Sequence, residues 1–515
     1  MLVVVAALFV TVVTAVPGNV TTADQLMLFK KKTPGPIGVI KTTSGFPVLL
    51  EDTQVINKPR IILNDFFMET MTRLNRERIP ERFVHTKGTG AFGYFKVTHD
   101  LSDICRAKIF SAVGKTTPLV VRFSPTNEER GSSDVTRDAR GMAIKFYTDE
   151  GNFDLLALTI QQFLMKDPVF FPTFIHVFHR NPKTNVIDNN MIWDFLTLRP
   201  ETLAAFMHTF GDVGIPDGYR FIRVFALHTY ELLNYAGDRT FVRFQMVPDA
   251  GVRNLTTAQA ARITDVDYAT RDLYNNIENG NYPVWTLYVQ VIPECDVDKI
   301  KFDIFDITRR WPLRKFPLRP IGKLVLNRNP ENQFADVEQT AFNPGNLVPG
   351  IRGVDTLFES RVFAYRDAQN YRLGANFNNI KVNCPLATIT HTYVRDGLPP
   401  VLDNDGETPN YFPNSYNGPI PYVEKNYPPR INVYTDPRAN NFDDARDLYV
   451  NELTVGQRCR LVDNIVTSLR LADHFLQERA VKLYKLIHID LGSRIQENLL
   501  RNNTNPSDNY ECNQP

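Results

Sequence analysis

Between residues 115 and 323 the sequence repeats with a period of two, and both alternating sets carry bulky side chains. Val242, Phe244 and Met246 alternate with Phe241, Arg243 and Gln245. Trp285, Leu287, Val289 and Val291 alternate with Thr286, Tyr288, Gln290 and Ile292, and Leu119-Val120-Val121-Arg122-Phe123 is apolar almost throughout. Aromatic and β-branched residues at this period form strands. A strand that is apolar on both faces must be covered on both, so the pattern predicts a closed barrel or a sheet overlaid by helices. Short helical insertions are expected at residues 189–198 and 257–263.

The flanks read differently. Residues 16–80 form a polar, proline-punctuated arm with one short helix near 66–75. From 327 to 444 periodicity fails and Pro and Asn abound, as in Asn329-Pro330, Pro399-Pro400 and Pro428-Pro429. So long a stretch is not a simple loop and is expected to wrap over the rest. Beyond it Leu461, Ile465, Leu469, Ala472 and Leu476 recur at three and four residues, and Thr454-Val455-Gly456-Gln457 is a capping-box entry. The expected organisation is a leader at 1–15, an arm at 16–80, a strand-rich unit at 81–326, a wrap at 327–444, a helical unit at 445–505 and a tail at 506–515. No internal repeat is present.

Fifty-eight basic residues against 57 acidic ones leave a net charge of +1, which argues against a general nucleic-acid binder. The apolar run from Met1 to Val16, ending in small residues, reads as a secretory signal peptide and is short for a span of about 20 residues. Secretion would make the sequons at Asn19, Asn254 and Asn502 usable. The five cysteines are far apart and lack a CxxC pair, which indicates neither a dense disulfide framework nor a zinc site. The final Asn513-Gln514-Pro515 is not a peroxisomal address.

Two segments concentrate the chemistry. Arg82-Phe83-Val84-His85 leads into Gly88-x-Gly90-x-x-Gly93. That spacing mimics a dinucleotide fingerprint, but a charged stretch precedes it and a strand-like Tyr94-Phe95-Lys96-Val97 follows, where the fingerprint needs a strand and then a helix. A histidine on a rigid glycine-rich turn, three residues after an arginine, suits a general acid/base near an anionic cofactor. The second segment, Arg361-Val362-Phe363-Ala364-Tyr365, sets an arginine four residues before a tyrosine. Tyrosine can ligate haem iron, and its phenolate needs nearby positive charge because its ordinary pKa is about 10.

Together these segments resemble the haem catalases, over about residues 46–500. The likeness includes Val121-Arg122-Phe123-Ser124, Thr136-Arg137-Asp138-Ala139-Arg140-Gly141, Gly214-Ile215-Pro216-Asp217-Gly218, Leu324-Val325-Leu326-Asn327-Arg328-Asn329-Pro330 and Pro409-Asn410-Tyr411-Phe412-Pro413. The resemblance implies an α+β fold: an eight-stranded antiparallel β-barrel with an N-terminal arm, a wrapping segment and a C-terminal helical domain. It also implies a homotetramer with haem b, carrying ferric iron, that decomposes hydrogen peroxide to water and oxygen. His85 matches the distal histidine that moves a proton between the peroxide oxygens, and Ser124 the residue that orients it. Tyr365 matches the proximal iron ligand and Arg361 the arginine that keeps it anionic. Arg82, Arg122 and Arg372 match the propionate-binding arginines. Val84, Phe163, Phe171 and His228 match cofactor neighbours, and Asp138 a channel carboxylate.

The chain departs from the pattern twice. The family's distal Asn falls on Leu158, which cannot donate a hydrogen bond to peroxide unless Thr159 or Gln161 substitutes. The expected outcome is slowed peroxide turnover; peroxidase action on small organic donors, or haem binding without turnover, are the other readings. The positions that hold NADPH in many relatives are Ala204, His208, Gly211, Val213, Arg223, Phe225, Val247 and Leu313 here. The phosphate-holding cations fall on Val213 and Val247, so a tight NADPH site is not expected. The remaining histidines show no metal-ligand pairing.

Overall fold

The structure, a computed structural model, describes residues 20–56, 64–423, 426–436 and 440–501. The expected leader at 1–15, the tail at 506–515 and the sequons at Asn19 and Asn502 lie outside the described residues. Ten strands form one antiparallel sheet among the described residues: β1 (Thr89–Val97), β2 (Thr116–Pro125), β3 (Arg140–Thr148), β4 (Gly151–Leu158), β5 (Val224–Phe225), β6 (Tyr230–Leu233), β7 (Arg239–Pro248), β8 (Val284–Pro293), β9 (Arg319–Arg328) and β10 (Ile351–Gly353). The order β7-β5-β4-β3-β2-β1-β9-β8 closes through β7–β8 pairing into an eight-stranded barrel, with β6 and β10 continuing beside β7. Closure leaves these strands without free edges.

The alternation sorts side chains as the sequence predicts. On β2, Leu119, Val121 and Phe123 join the barrel core with Met142, Ile144 and Phe146 of β3 and Phe153, Leu155 and Ala157 of β4. Arg122 and Ser124 take the opposite face and are still buried. The outer face is covered, which is why the strands are apolar on both sides. The Gly88-x-Gly90-x-x-Gly93 run enters β1 with no helix after it. Its glycines serve close packing: a Cβ on Gly93 would lie 1.8 Å from the Val325 carbonyl oxygen, and one on Gly88 2.5 Å from Arg122 Nη2.

The helices are α1 (Gln25–Lys32), α2 (Asp65–Leu74), α3 (Phe171–Phe178), α4 (Asn189–Leu198), α5 (Leu203–Phe210), α6 (Thr257–Ala260), α7 (Tyr268–Glu278), α8 (Thr356–Leu373), α9 (Asp443–Asp447), α10 (Val455–Leu469), α11 (His474–Ile487) and α12 (Ile489–Leu500). The Thr454–Gln457 capping box opens α10. Helices α3, α4, α5 and α9 to α12 share a second core, to which Trp193, Phe206, Leu461, Ile465 and Tyr484 contribute. Three expectations need correction. The helix expected over 257–263 ends at Ala260. The terminal apolar repeat is broken between Leu469 and His474, where α10 gives way to α11. The wrap is not uniformly irregular, because it contains the 18-residue α8. Only Leu357, Phe358, Gln369 and Arg372 of α8 are buried. Two of those four are polar, so no apolar period marks the helix.

Candidate active site

The site forms where β2, β3 and β4 turn their outer faces toward α8 and the helical core. Ser124, Gly141 and Leu158 lie in one row across three strands, because Ser124 pairs with Gly141 and Gly141 with Leu158. Cross-strand partners share a face. His85 Nδ1 lies 2.9 Å from Ser124 Oγ, and the imidazole rests over Gly141. A Cβ at Gly141 would stand 2.9 Å from two ring atoms, so only glycine leaves room for the ring. Ser124 Oγ lies against Nδ1, and the Pro125 carbonyl accepts from the ring. We assign the proton to Nδ1, which leaves Nε2 with the lone pair. Burial, then the charges of Arg122, Arg361 and Arg82, lower the His85 pKa to about 3. The ring is a neutral base throughout the physiological range.

Leu158 continues the row on the face that holds His85 and packs against the helical core with Val84, Phe171 and the buried Phe163. Its neighbour Thr159 lies just past the end of β4, and its hydroxyl accepts from the Arg140 N–H at 2.9 Å.

On the other side, α8 presents Arg361 and Tyr365 one turn apart. Arg361 Nη2 donates to Tyr365 Oη at 3.0 Å and Nη1 to His228 Nε2 at 2.6 Å. His228 Nδ1 donates to Asp355 Oδ2 at 2.8 Å, and Asp355 Oδ1 accepts from the Phe358 N–H at 2.8 Å as the N-cap of α8. Burial works against the Arg361 charge, but Tyr365, Tyr230 and Asp355 outweigh it, and its pKa is raised. Burial holds His228 low despite Asp355, which fits a neutral ring that accepts from arginine and donates to carboxylate. His228 is thus a link in this chain rather than only a cofactor neighbour.

Arg82, Arg122 and Arg372 converge at the edge of the cleft. Arg82 Nη1 pairs with Glu338 at 3.3 Å, and Arg372 Nη2 donates to the Glu338 carbonyl at 2.9 Å. Burial and mutual repulsion depress Arg82, and burial takes Arg122 to about 10. One carboxylate among three buried guanidinium groups leaves uncompensated positive charge, and Arg122 Nε has no partner. Such an arrangement calls for an anion with two negative charges.

The structure brings His85, Ser124, Leu158, Arg361, Tyr365 and the three arginines together around one cleft. The sequence reading missed Asp355, Glu338 and the packing role of Gly141. Asp355 carries a readable signal, an N-cap aspartate three residues before Phe358; Glu338, at the end of the short π-helix Phe334–Glu338, carries none. Asp138 is buried, and its carboxylate accepts from Thr126 and Asn127. Of the nucleotide positions, Arg223 is committed to Gln245 at 3.1 Å. His208 is buried, with its pKa lowered to about 4 by burial and by Arg310. Arg310 is held by Asp444, Asp447 and Glu452.

Comparison with known proteins accounts for this geometry. Residues 41–418 match the family model "Catalase", and residues 435–499 match "Catalase-related immune-responsive". Catalase from Drosophila melanogaster is 43% identical over 496 residues, covering 94% of this chain and 98% of that protein. Catalase from Sus scrofa is 43% identical over 500 residues, covering 95% of each. Among solved structures, a fungal catalase superposes with a TM-score of 0.84 at 38% identity, covering 90% of this chain and 96% of its own. Catalase A from Saccharomyces cerevisiae gives 0.83 at 37%, covering 90% and 99%. The chain belongs to the catalase family. Membership makes it an oxidoreductase acting on hydrogen peroxide, and the family implies a haem cofactor. The residues fit that group: an apolar slot, a phenol oxygen for an iron and a cationic edge for two carboxylates.

Proposed function

We propose that this protein decomposes hydrogen peroxide to water and oxygen with haem b in the ferric state, at a rate lowered by Leu158. Haem, when bound, would supply the iron and relay two electrons to the first peroxide, electrons that a second peroxide would replace as it is oxidised to oxygen. Tyr365 would hold the iron, Arg361 would keep its oxygen anionic, and Arg82, Arg122 and Arg372 would hold the propionates by charge-assisted bonds. His85 Nε2 takes the proton from the first peroxide oxygen and returns it to the second, which leaves as water. Ser124 and Gly141 hold the ring for both steps. General acid/base catalysis of this kind is worth about 10²–10⁴ in rate. Leu158 excludes water on the same face and donates nothing. The missing hydrogen bond costs about 1–3 kcal/mol, smaller than a full oxyanion donor because His85 remains.

The observation that carries this reading is the neutral, oriented His85 facing Arg361 and Tyr365 across one cleft. A pure haem carrier has no need of an acid/base pair. The test is oxygen release per bound haem from the wild type and from His85→Ala. A fall of at least 100-fold in the variant supports the enzyme; equal release, or a Soret band with none, favours the carrier. Small organic donors are a second source of electrons, and a peroxidase assay with a phenol separates that mode.

The same proposal includes a secreted, glycosylated homotetramer without tight NADPH binding. Support comes from the apolar leader, from the half-buried sequon at Asn254 and from the disulfide-bonded Cys459, which suits an oxidising compartment. Valines at 213 and 247 and the committed Arg223 support weak nucleotide binding. N-terminal sequencing and gel filtration of protein recovered from culture medium, with an NADPH titration, test these points; saturation below micromolar NADPH overturns the last. Among the described residues no helix is long and apolar enough to cross a membrane.

A further inference from the structure

His85 adopts φ of 59°. For a residue with a Cβ this left-handed backbone is strained, and it persists only where the surroundings over-determine it. The restraint comes from one loop. The His85 N–H donates to the Thr126 carbonyl at 2.9 Å, and Thr126 opens the segment 126–139 that joins β2 to β3. At its far end stands Asp138, 3% exposed. Asp138 Oδ2 accepts from the Thr126 and Asn127 N–H groups, each at 2.7 Å. Oδ1 accepts from the Thr126 hydroxyl and, at 3.0 Å, from the Asn127 amide. A carboxylate offers about four lone-pair sites, so Asp138 is saturated by its own loop. Arg140 braces the same turn, donating to the carbonyls of Asp138 at 2.6 Å, Asp134 at 2.9 Å and Thr136 at 2.5 Å.

We propose that Asp138 is a positioning residue for His85: its carboxylate fixes the Thr126 carbonyl, which fixes the strained His85 backbone and so the imidazole over Gly141. The proposal rests on His85 being the acid/base group. It assigns Asp138 no contact with peroxide, because no acceptor site on the carboxylate is left over. Asp138→Asn removes the charge and turns an amide N–H₂ toward two of the four donors, so the Thr126 hydroxyl and the Asn127 amide must reorient and the clamp weakens.

The test compares wild type, Asp138→Asn and Thr126→Val, each loaded with haem. Asp138→Asn is expected to lower kcat at least tenfold, with KM for peroxide within twofold, and to speed deuterium exchange in the peptide 82–88. Haem content and Soret position stay unchanged. Thr126→Val keeps its N–H bond and loses one hydroxyl, so a fall of two- to fivefold with intermediate exchange is expected. A raised KM with unchanged kcat and exchange in Asp138→Asn overturns the proposal, since that is the mark of a carboxylate handling substrate. Wild-type behaviour of Thr126→Val in both readouts overturns it too, and that variant decides alone if Asp138→Asn does not fold. A wild type without turnover would sink the peroxide reading, and the exchange rates would still decide the positioning.

Discussion

The two sides of the cleft are built in opposite styles. On the α8 side Tyr365, Arg361, His228, Asp355 and the Phe358 N–H form one unbroken chain ending at a helix N-terminus. On the barrel side one imidazole does the polar work, held by Ser124 and by its own backbone, with glycine on one side and leucine beyond. A buried chain of this kind resists change, because removing any link leaves an unpaired group. The barrel side tolerates apolar replacement, because an alkyl group there demands no partner. The difference teaches where an apolar side chain is tolerated in this fold: Leu158 lies on the side that demands no partner, where on the proposed reading a missing donor is expected to lower rate and not stability.

Breaking the α8 side should have the largest effect. Tyr365→Phe removes the oxygen to which Arg361 donates, and bound haem and peroxide activity are expected to be lost together while the circular dichroism spectrum persists; haem retained at wild-type stoichiometry would contradict the ligand assignment. His228→Gln interrupts the chain one link back. Groups that orient a metal's ligand are typically worth 10–100-fold in affinity or activity, so haem loss measured by transfer to an acceptor protein should speed by about that factor, and an unchanged rate would show that the chain past Arg361 is idle.

A smaller effect concerns acid stability. His208, buried beside Arg310, has its pKa lowered from 6.5 to about 4. Between those values the unfolded chain binds a proton that the folded one does not. Stability from this group is therefore full above pH 6.5 and is lost as pH falls toward 4, at up to about 1.4 kcal/mol per pH unit. His208→Gln should flatten the pH dependence of the urea midpoint by about one proton between pH 6.5 and 4.5. An unchanged slope would place the uptake elsewhere.

The sequence revealed the barrel because period-two alternation survives on strands covered on both faces, and the helical unit because α10 to α12 bury one apolar stripe. It hid α8 because that helix buries Gln369 and Arg372 beside Leu357 and Phe358. In the site, His85 and Tyr365 stood out by chemical type. Gly141 did not: its role is the space it leaves, which appears only when β2 and β3 are paired. The Thr126–Asp138 clamp was equally silent, because twelve positions separate the partners and no periodicity links them.

The contrast between the two sides is tested most directly at Leu158. Leu158→Asn returns one donor to the row that holds Ser124 and His85. With oxygen release measured per bound haem under saturating peroxide, the variant should exceed the wild type by roughly 5- to 150-fold, the equivalent of about 1–3 kcal/mol. Haem retention, set by α8, should be unchanged. Turnover equal to or below that of the wild type, at equal haem content, would contradict the account of the barrel side.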